Sequence, residues 1–145
     1  MKEANDTKKL IDECCTGCKY ATNSMGQVLR YVKDDKLRSL IERYNQRRAD
    51  FGDRCHVLLN EIGENESDPN AVAMSMAKMG TAFKLTMDST TAHIAEILAD
   101  GAAMAAKSIS QKKNEYAAAS ASAKEMAGEL VDMSVSMMVE LLAFV

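Results

Sequence analysis

The most reactive side chains in this chain are its four cysteines: Cys14, Cys15 and Cys18 lie close together, and Cys55 comes later, followed directly by His56. Cys14 and Cys18 are four residues apart, which stacks them on one helical face, and Cys55 falls on the apolar face of the next helical pattern. Counted outward from a turn near Asp34, Cys14 and Cys55 are almost equally distant, so an antiparallel hairpin brings three thiols to one level. Three thiolates with a nearby imidazole suit zinc or another thiophilic ion such as cuprous copper, which makes Cys14, Cys18, Cys55 and His56 the candidate metal ligands. The same thiols are also suited to reversible oxidation, or to inert burial as small apolar residues. Cys15 is expected on a different flank from Cys14, and His56 points about 100° away from Cys55 around the helix. Cys15 and Cys18 have Cys-x-x-Cys spacing, but a thioredoxin-like site needs a βαβ context that this chain lacks.

Other chemistry-bearing residues are sparse, and no catalytic residue is assigned. His93 and Glu96 stand three apart near the start of a helix, a pair too small to form a catalytic site. Arg48 sits on an otherwise apolar seam, so it must either find a partner, with Glu129 and Asp132 at its level, or extend its stem to solvent.

These residues are positioned by helices. The composition is rich in Ala, Met, Leu, Glu and Lys, with seven Gly, one Pro and no Trp, which favours an all-α chain. Spacings of three and four through Ile11, Cys14, Cys18, Ala21, Met25, Val28 and Val32 predict a first helix from Asp6 to Lys33, capped at Asn5 or Asp6. Leu37, Ile41, Tyr44, Arg48, Phe51, Cys55, Leu58 and Ile62 predict a second, ending at Gly63. Asp68 and Pro69 start a third, from Pro69 to Met87, and cap chemistry at 88–91 separates it from a fourth, from Thr90 to Tyr116. The face expected to be buried on the fourth is Ile94, Ile97, Leu98, Gly101, Met104, Ala105, Ile109 and Tyr116. A fifth helix follows the Ala/Ser stretch 117–122, with Met126, Leu130, Met133, Met137, Leu141 and Phe144 on its seam. Val135, Met138, Val139 and Leu142 form a second apolar face on it, suited to the third helix or to another subunit.

Four of these helices span roughly 40 Å each and can lie side by side as a bundle, while the 69–87 helix, near 28 Å, is long enough to carry the chain back along it. In the length and order of its helices, and in a loose match from Ala92 to Leu98 and from Asp100 to Ala102, the chain resembles the ferritin-like superfamily. Within it, the chain is most similar to small uncharacterised bacterial four-helix-bundle proteins that carry an extra helix between the two hairpins. The resemblance implies a ferritin-like four-helix bundle with an additional, shorter crossover helix. In metal-binding members it would also imply inward glutamates and two Glu-x-x-His pairs. This sequence contains no Glu-x-x-His, and its middle turns carry Ala21, Arg48, Gly101 to Ala105 and Met133, so a di-iron centre is not expected.

The 145 residues suit a single domain, 1–145. Eighteen basic and 21 acidic residues, evenly spread, give no electrostatic footprint for nucleic acid or an anionic membrane. The polar start and the lack of a long apolar run argue against a signal peptide and a membrane span, which places the protein in the cytoplasm with reduced thiols. The favoured reading is a non-enzymatic interaction or structural module, acting as a homodimer or on another protein, with no cofactor unless a thiophilic metal binds. The alternative is a thiol-based metal-binding or redox-sensing protein using the core cysteines. A ferritin-like di-iron protein is the last alternative.

Overall fold

The computed structural model describes residues 1–63 and 90–145. They form four long helices: α1 (Lys2–Val28), α2 (Asp35–Glu61), α3 (Thr91–Glu115) and α4 (Ala121–Leu141), with a 3-10 turn at Leu29–Tyr31 after α1. The described residues contain no strand, and none of their helices is long and apolar enough to cross a membrane. The helix expected from Pro69 to Met87 lies outside the described residues.

Cap chemistry sets most of the boundaries. Asp34 accepts the Leu37 N–H at 2.9 Å to start α2, Thr90 accepts the His93 N–H at 3.3 Å to start α3, and Ser120 accepts the Ala123 N–H at 3.2 Å to start α4. After α2, Gly63 adopts φ 75, the left-handed conformation that closes a helix and that a β-carbon disfavours.

The start of α1 is different from what its sequence suggests. The helix begins at Lys2, so the expected cap residues lie inside it. Asp6 and Thr7 are buried and bond across the bundle: an Asp6 carboxylate oxygen accepts the Ala118 N–H at 3.1 Å, and the Thr7 hydroxyl accepts the Ser120 N–H at 2.8 Å. These are backbone donors of the 116–120 connection that no helical carbonyl satisfies, so two short polar side chains of α1 hold the turn between α3 and α4.

Cross-helix contacts fix the register. Between α1 and α3, Lys9 lies over the Tyr116 ring, Lys112 approaches Glu13 at 4.0 Å, and a β-carbon at Gly17 would meet Ile109 at 3.9 Å. Between α2 and α4, Arg43 pairs with Glu140 at 2.6 Å, Arg48 bonds Ser134 at 3.0 Å, and Arg54 pairs with Glu129 at 2.8 Å. In both sets one helix ascends as the other descends, so both pairs are antiparallel, as are the hairpins α1–α2 and α3–α4. It follows that α2 and α3 run parallel, and that Gly63 and Thr90 lie at opposite ends of the bundle.

The core is continuous through all four helices, with Leu10, Ile11, Leu37, Ile41, Tyr44, Phe51, Leu59, Ile94, Leu130 and Leu141 each at most 1% exposed. Each such side chain contributes about 1.5–3 kcal/mol by leaving water. The α4 seam is as expected through Leu141, with Phe144 partly buried against it. On α3 the expectation fails at Met104, which is 71% exposed, because the inward face is built from Ala95, Ala99, Ala102 and Ala106 around Ile94, Leu98 and Ile109. On α2, Leu59 replaces Leu58 as the fully buried residue of the last turn, and Ile62 is 42% exposed.

Candidate functional site

All four cysteines are reduced and buried at one level of the α1–α2 interface, with Cys14 and Cys55 at 0% exposure and Cys15 and Cys18 at 2%. The two helices pass close at Gly52, where an added β-carbon would lie 3.5 Å from the Cys18 β-carbon, an ordinary contact distance. A side chain much larger than alanine at 52 would crowd Cys18.

The thiol pairing differs by one residue from the expected one. Cys15, rather than Cys14, is the thiol that acts most strongly on Cys55. The buried face of α1 is wide enough to take both Leu10 and Ile11, and in the next turn both Cys14 and Cys15. A shift of one residue along α1 rotates the facing side chain by about 100°, which is enough to exchange one cysteine for its neighbour. The sequence signal that could have found Cys15 is the second stripe Ile11, Cys15, Cys18, which runs beside the one through Cys14.

The environment sorts the four sulfurs. The neighbouring Cys55 thiol lowers the Cys15 pKa below its ordinary value of 9.0, against burial and the Asp12 charge, and nearby Lys19 also lowers it. The Cys15 sulfur, together with burial, pushes Cys55 up. Burial pushes Cys14 up, with its neighbours Cys18 and Cys15 adding to the effect. Burial also pushes Cys18 up to about 12, against the pull of the Arg48 charge. Of the four, Cys15 is the one shifted toward the thiolate, which is the reactive form.

Arg48 lies beside this cluster. It is 3% exposed; one guanidinium NH2 donates to the Ser134 hydroxyl at 3.0 Å, and that hydroxyl in turn donates to the Leu130 carbonyl at 2.9 Å. The expected acidic partner is engaged elsewhere: Glu129 holds Arg54 through two bonds of 2.8 and 3.0 Å. Ser134, a small residue on the α4 seam, was not anticipated as the partner. A cleft of about 380 Å³ opens between α1 and α2 over Cys15, Cys18, Lys19, Arg48, Gly52 and His56, giving the two sulfurs a route to small molecules.

The expected metal set is divided by the fold. Cys14, Cys18 and Cys55 are buried, whereas His56 is exposed and lines the cleft with Cys15 and Cys18. Among the described residues no group of three or more His, Cys, Asp or Glu side chains is placed to hold a metal ion. What the described residues do bring together is two neighbouring thiols, Cys15 and Cys55, beside the fixed positive charge of Arg48. Compared with family models, with curated proteins and with solved structures, this chain matches none of them.

Proposed function

We propose that this protein is a thiol-based redox-responsive helical bundle in which Cys15 and Cys55 form the working pair. The observation that carries this reading is the pairing of these two buried thiols across the α1–α2 interface, with Cys15 on the cleft. The oxidant is a hydroperoxide. The Cys15 thiolate attacks its terminal oxygen, the O–O bond breaks, and the alkoxide leaves as an alcohol after taking a proton from water. Cys15 is then a sulfenic acid. The Cys55 sulfur attacks the Cys15 sulfur and displaces hydroxide, which takes the Cys55 proton and leaves as water, so two thiols lose two electrons and the hydroperoxide gains two. Within this reading the bundle has ferritin-like connectivity, supported by the antiparallel hairpins and the parallel course of α2 and α3, and it works in the cytoplasm, where four unpaired thiols are stable.

The test is exposure of the reduced protein to a small excess of hydrogen peroxide, followed by peptide mapping. A loss of two hydrogen masses with a Cys15–Cys55 cross-link supports the reading. Four intact thiols, or a linkage that excludes Cys55, removes it.

A second reading is a homodimeric interaction module. It is favoured by Val135, Val139 and Leu142 along one side of α4, at 41%, 56% and 53% exposure. Light scattering across the micromolar range tests it: a monomer throughout contradicts a dimer, and a concentration-dependent mass that Val139→Lys abolishes supports one.

A further inference from the structure

We propose that the cleft between α1 and α2 is a binding site for a small oxyanion, anchored by the guanidinium of Arg48. Three observations carry this. First, Arg48 is buried and its Nε has no hydrogen-bond partner among the described residues, although it is a strong donor. A buried, unpartnered N–H of a charged group is rare because nothing replaces the water it has lost. Second, among the described residues no carboxylate is one of the groups whose charge acts on Arg48: these are Cys18, Arg47 and Tyr44. Cys18 stays a neutral thiol near pH 7, so the described residues leave this charge uncompensated, a costly arrangement for a buried ion. Third, Arg48 lines the cleft together with Lys19, so two positively charged side chains border the same space.

The walls favour a small ligand. Ala49 and Gly52 leave the α2 side low, and Asp53 is the single carboxylate among the residues lining the cleft. A planar guanidinium matches the paired oxygens of a carboxylate, phosphate or sulfate, and two positive charges favour an oxyanion over a neutral guest. The bound anion would lie beside the Cys15 and Cys18 sulfurs. The inference does not depend on the redox reading, because it stands on Arg48 and the cleft alone.

The experiment is thermal unfolding of the reduced protein at constant ionic strength, with sodium chloride replaced stepwise by sodium phosphate and, in a parallel series, by sodium acetate. A saturating rise in Tm with either anion is expected for the native chain. Arg48→Met should lose that rise while folding in chloride, since it removes an uncompensated charge. Ala49→Glu, which supplies a carboxylate at the cleft, should lose it as well, and this variant keeps the test decisive if Arg48→Met does not fold. The double variant Cys15→Ser/Cys55→Ser should keep the rise, which separates this inference from the redox reading. Identical Tm values in chloride, phosphate and acetate would overturn the proposal. A rise of equal size in Ala49→Glu or Arg48→Met would also overturn it, since general exclusion of phosphate from protein surfaces would then account for the effect.

Discussion

Where α3 meets α4, the small residues on the buried faces are alanines, Ala95, Ala99, Ala102, Ala106, Ala123 and Ala127; where α1 meets α2, the same role falls to Cys14, Cys15, Cys18 and Cys55. Both hairpins need side chains small enough for close approach, and both fill the rest of the seam with larger apolar groups: methionines and leucine on α4, Tyr44 and Phe51 on α2. The second hairpin shows that alanine meets the steric requirement in this bundle. Packing alone therefore does not call for cysteine in the first hairpin, and the buried Arg48 there is not a packing residue either. One half of the molecule holds the shape while the other holds the ionisable groups.

Four perturbations break or sharpen that contrast. The largest is alkaline pH. Cys14, Cys18 and Cys55 are held above their ordinary value of 9.0, Cys18 at about 12, so the unfolded chain releases these protons before the folded chain does. Their contribution to stability is full below about pH 9 and is lost above it, at about 1.4 kcal/mol per pH unit for each such thiol. Urea midpoints of the reduced protein should fall steeply above that pH, and in Cys14→Ala/Cys18→Ala/Cys55→Ala the slope should shrink markedly. Equal slopes would mean that the first hairpin is no more ionisable than the second.

Oxidation comes next. A Cys15–Cys55 disulfide closes a loop of roughly 40 residues and should stabilise the fold by up to about 4 kcal/mol in the chain-entropy description. Comparing oxidised and reduced urea midpoints measures it, and the difference should vanish in Cys55→Ser. Removing the bonds that tie the start of α1 to the second hairpin should be milder: Thr7→Ala leaves the Ser120 N–H without its acceptor and should lower stability by about 1–2 kcal/mol in chemical unfolding. The smallest effect is Gly52→Ala. Its β-carbon meets Cys18 at ordinary contact distance, so the gain in helix propensity, about 0.5–1 kcal/mol, should appear as a small rise in stability. Destabilisation instead would show that the thiol-bearing hairpin is packed more tightly than its geometry indicates.

Much of the fold was legible in the sequence because helices announce themselves by period and cap. The seams through Cys14 and Cys18, through Tyr44 and Cys55, and through Met126 and Leu141 are buried as their spacing requires, and the caps at Asp34 and Thr90 lie at or next to the expected starts. What the sequence hid was long-range. Asp6 looks like a local cap, yet it and Thr7 serve backbone donors more than 100 residues away. Met104 looked buried because it is apolar, but a face of alanines brings α3 close enough to exclude it. At the site, the convergence of thiols at one level was readable from distances to the turn. The identity of the neighbouring pair was not, because a hairpin register is not fixed to one residue by periodicity. The Ser134 hydroxyl as the partner of Arg48 left no trace in the pattern of charges that pointed to Glu129 and Asp132.

The most direct test of the central claim, that Cys15 is the activated sulfur of the cluster, is limited alkylation of the native, reduced protein, with peptide mapping of the labelled residue as pH is raised. Cys15 should be labelled first, at a rate that climbs before pH reaches its ordinary value of 9.0, while Cys14, Cys18 and Cys55 react only after unfolding. Labelling of Cys18 or Cys14 ahead of Cys15, or no labelling of any thiol until the bundle unfolds, would contradict it.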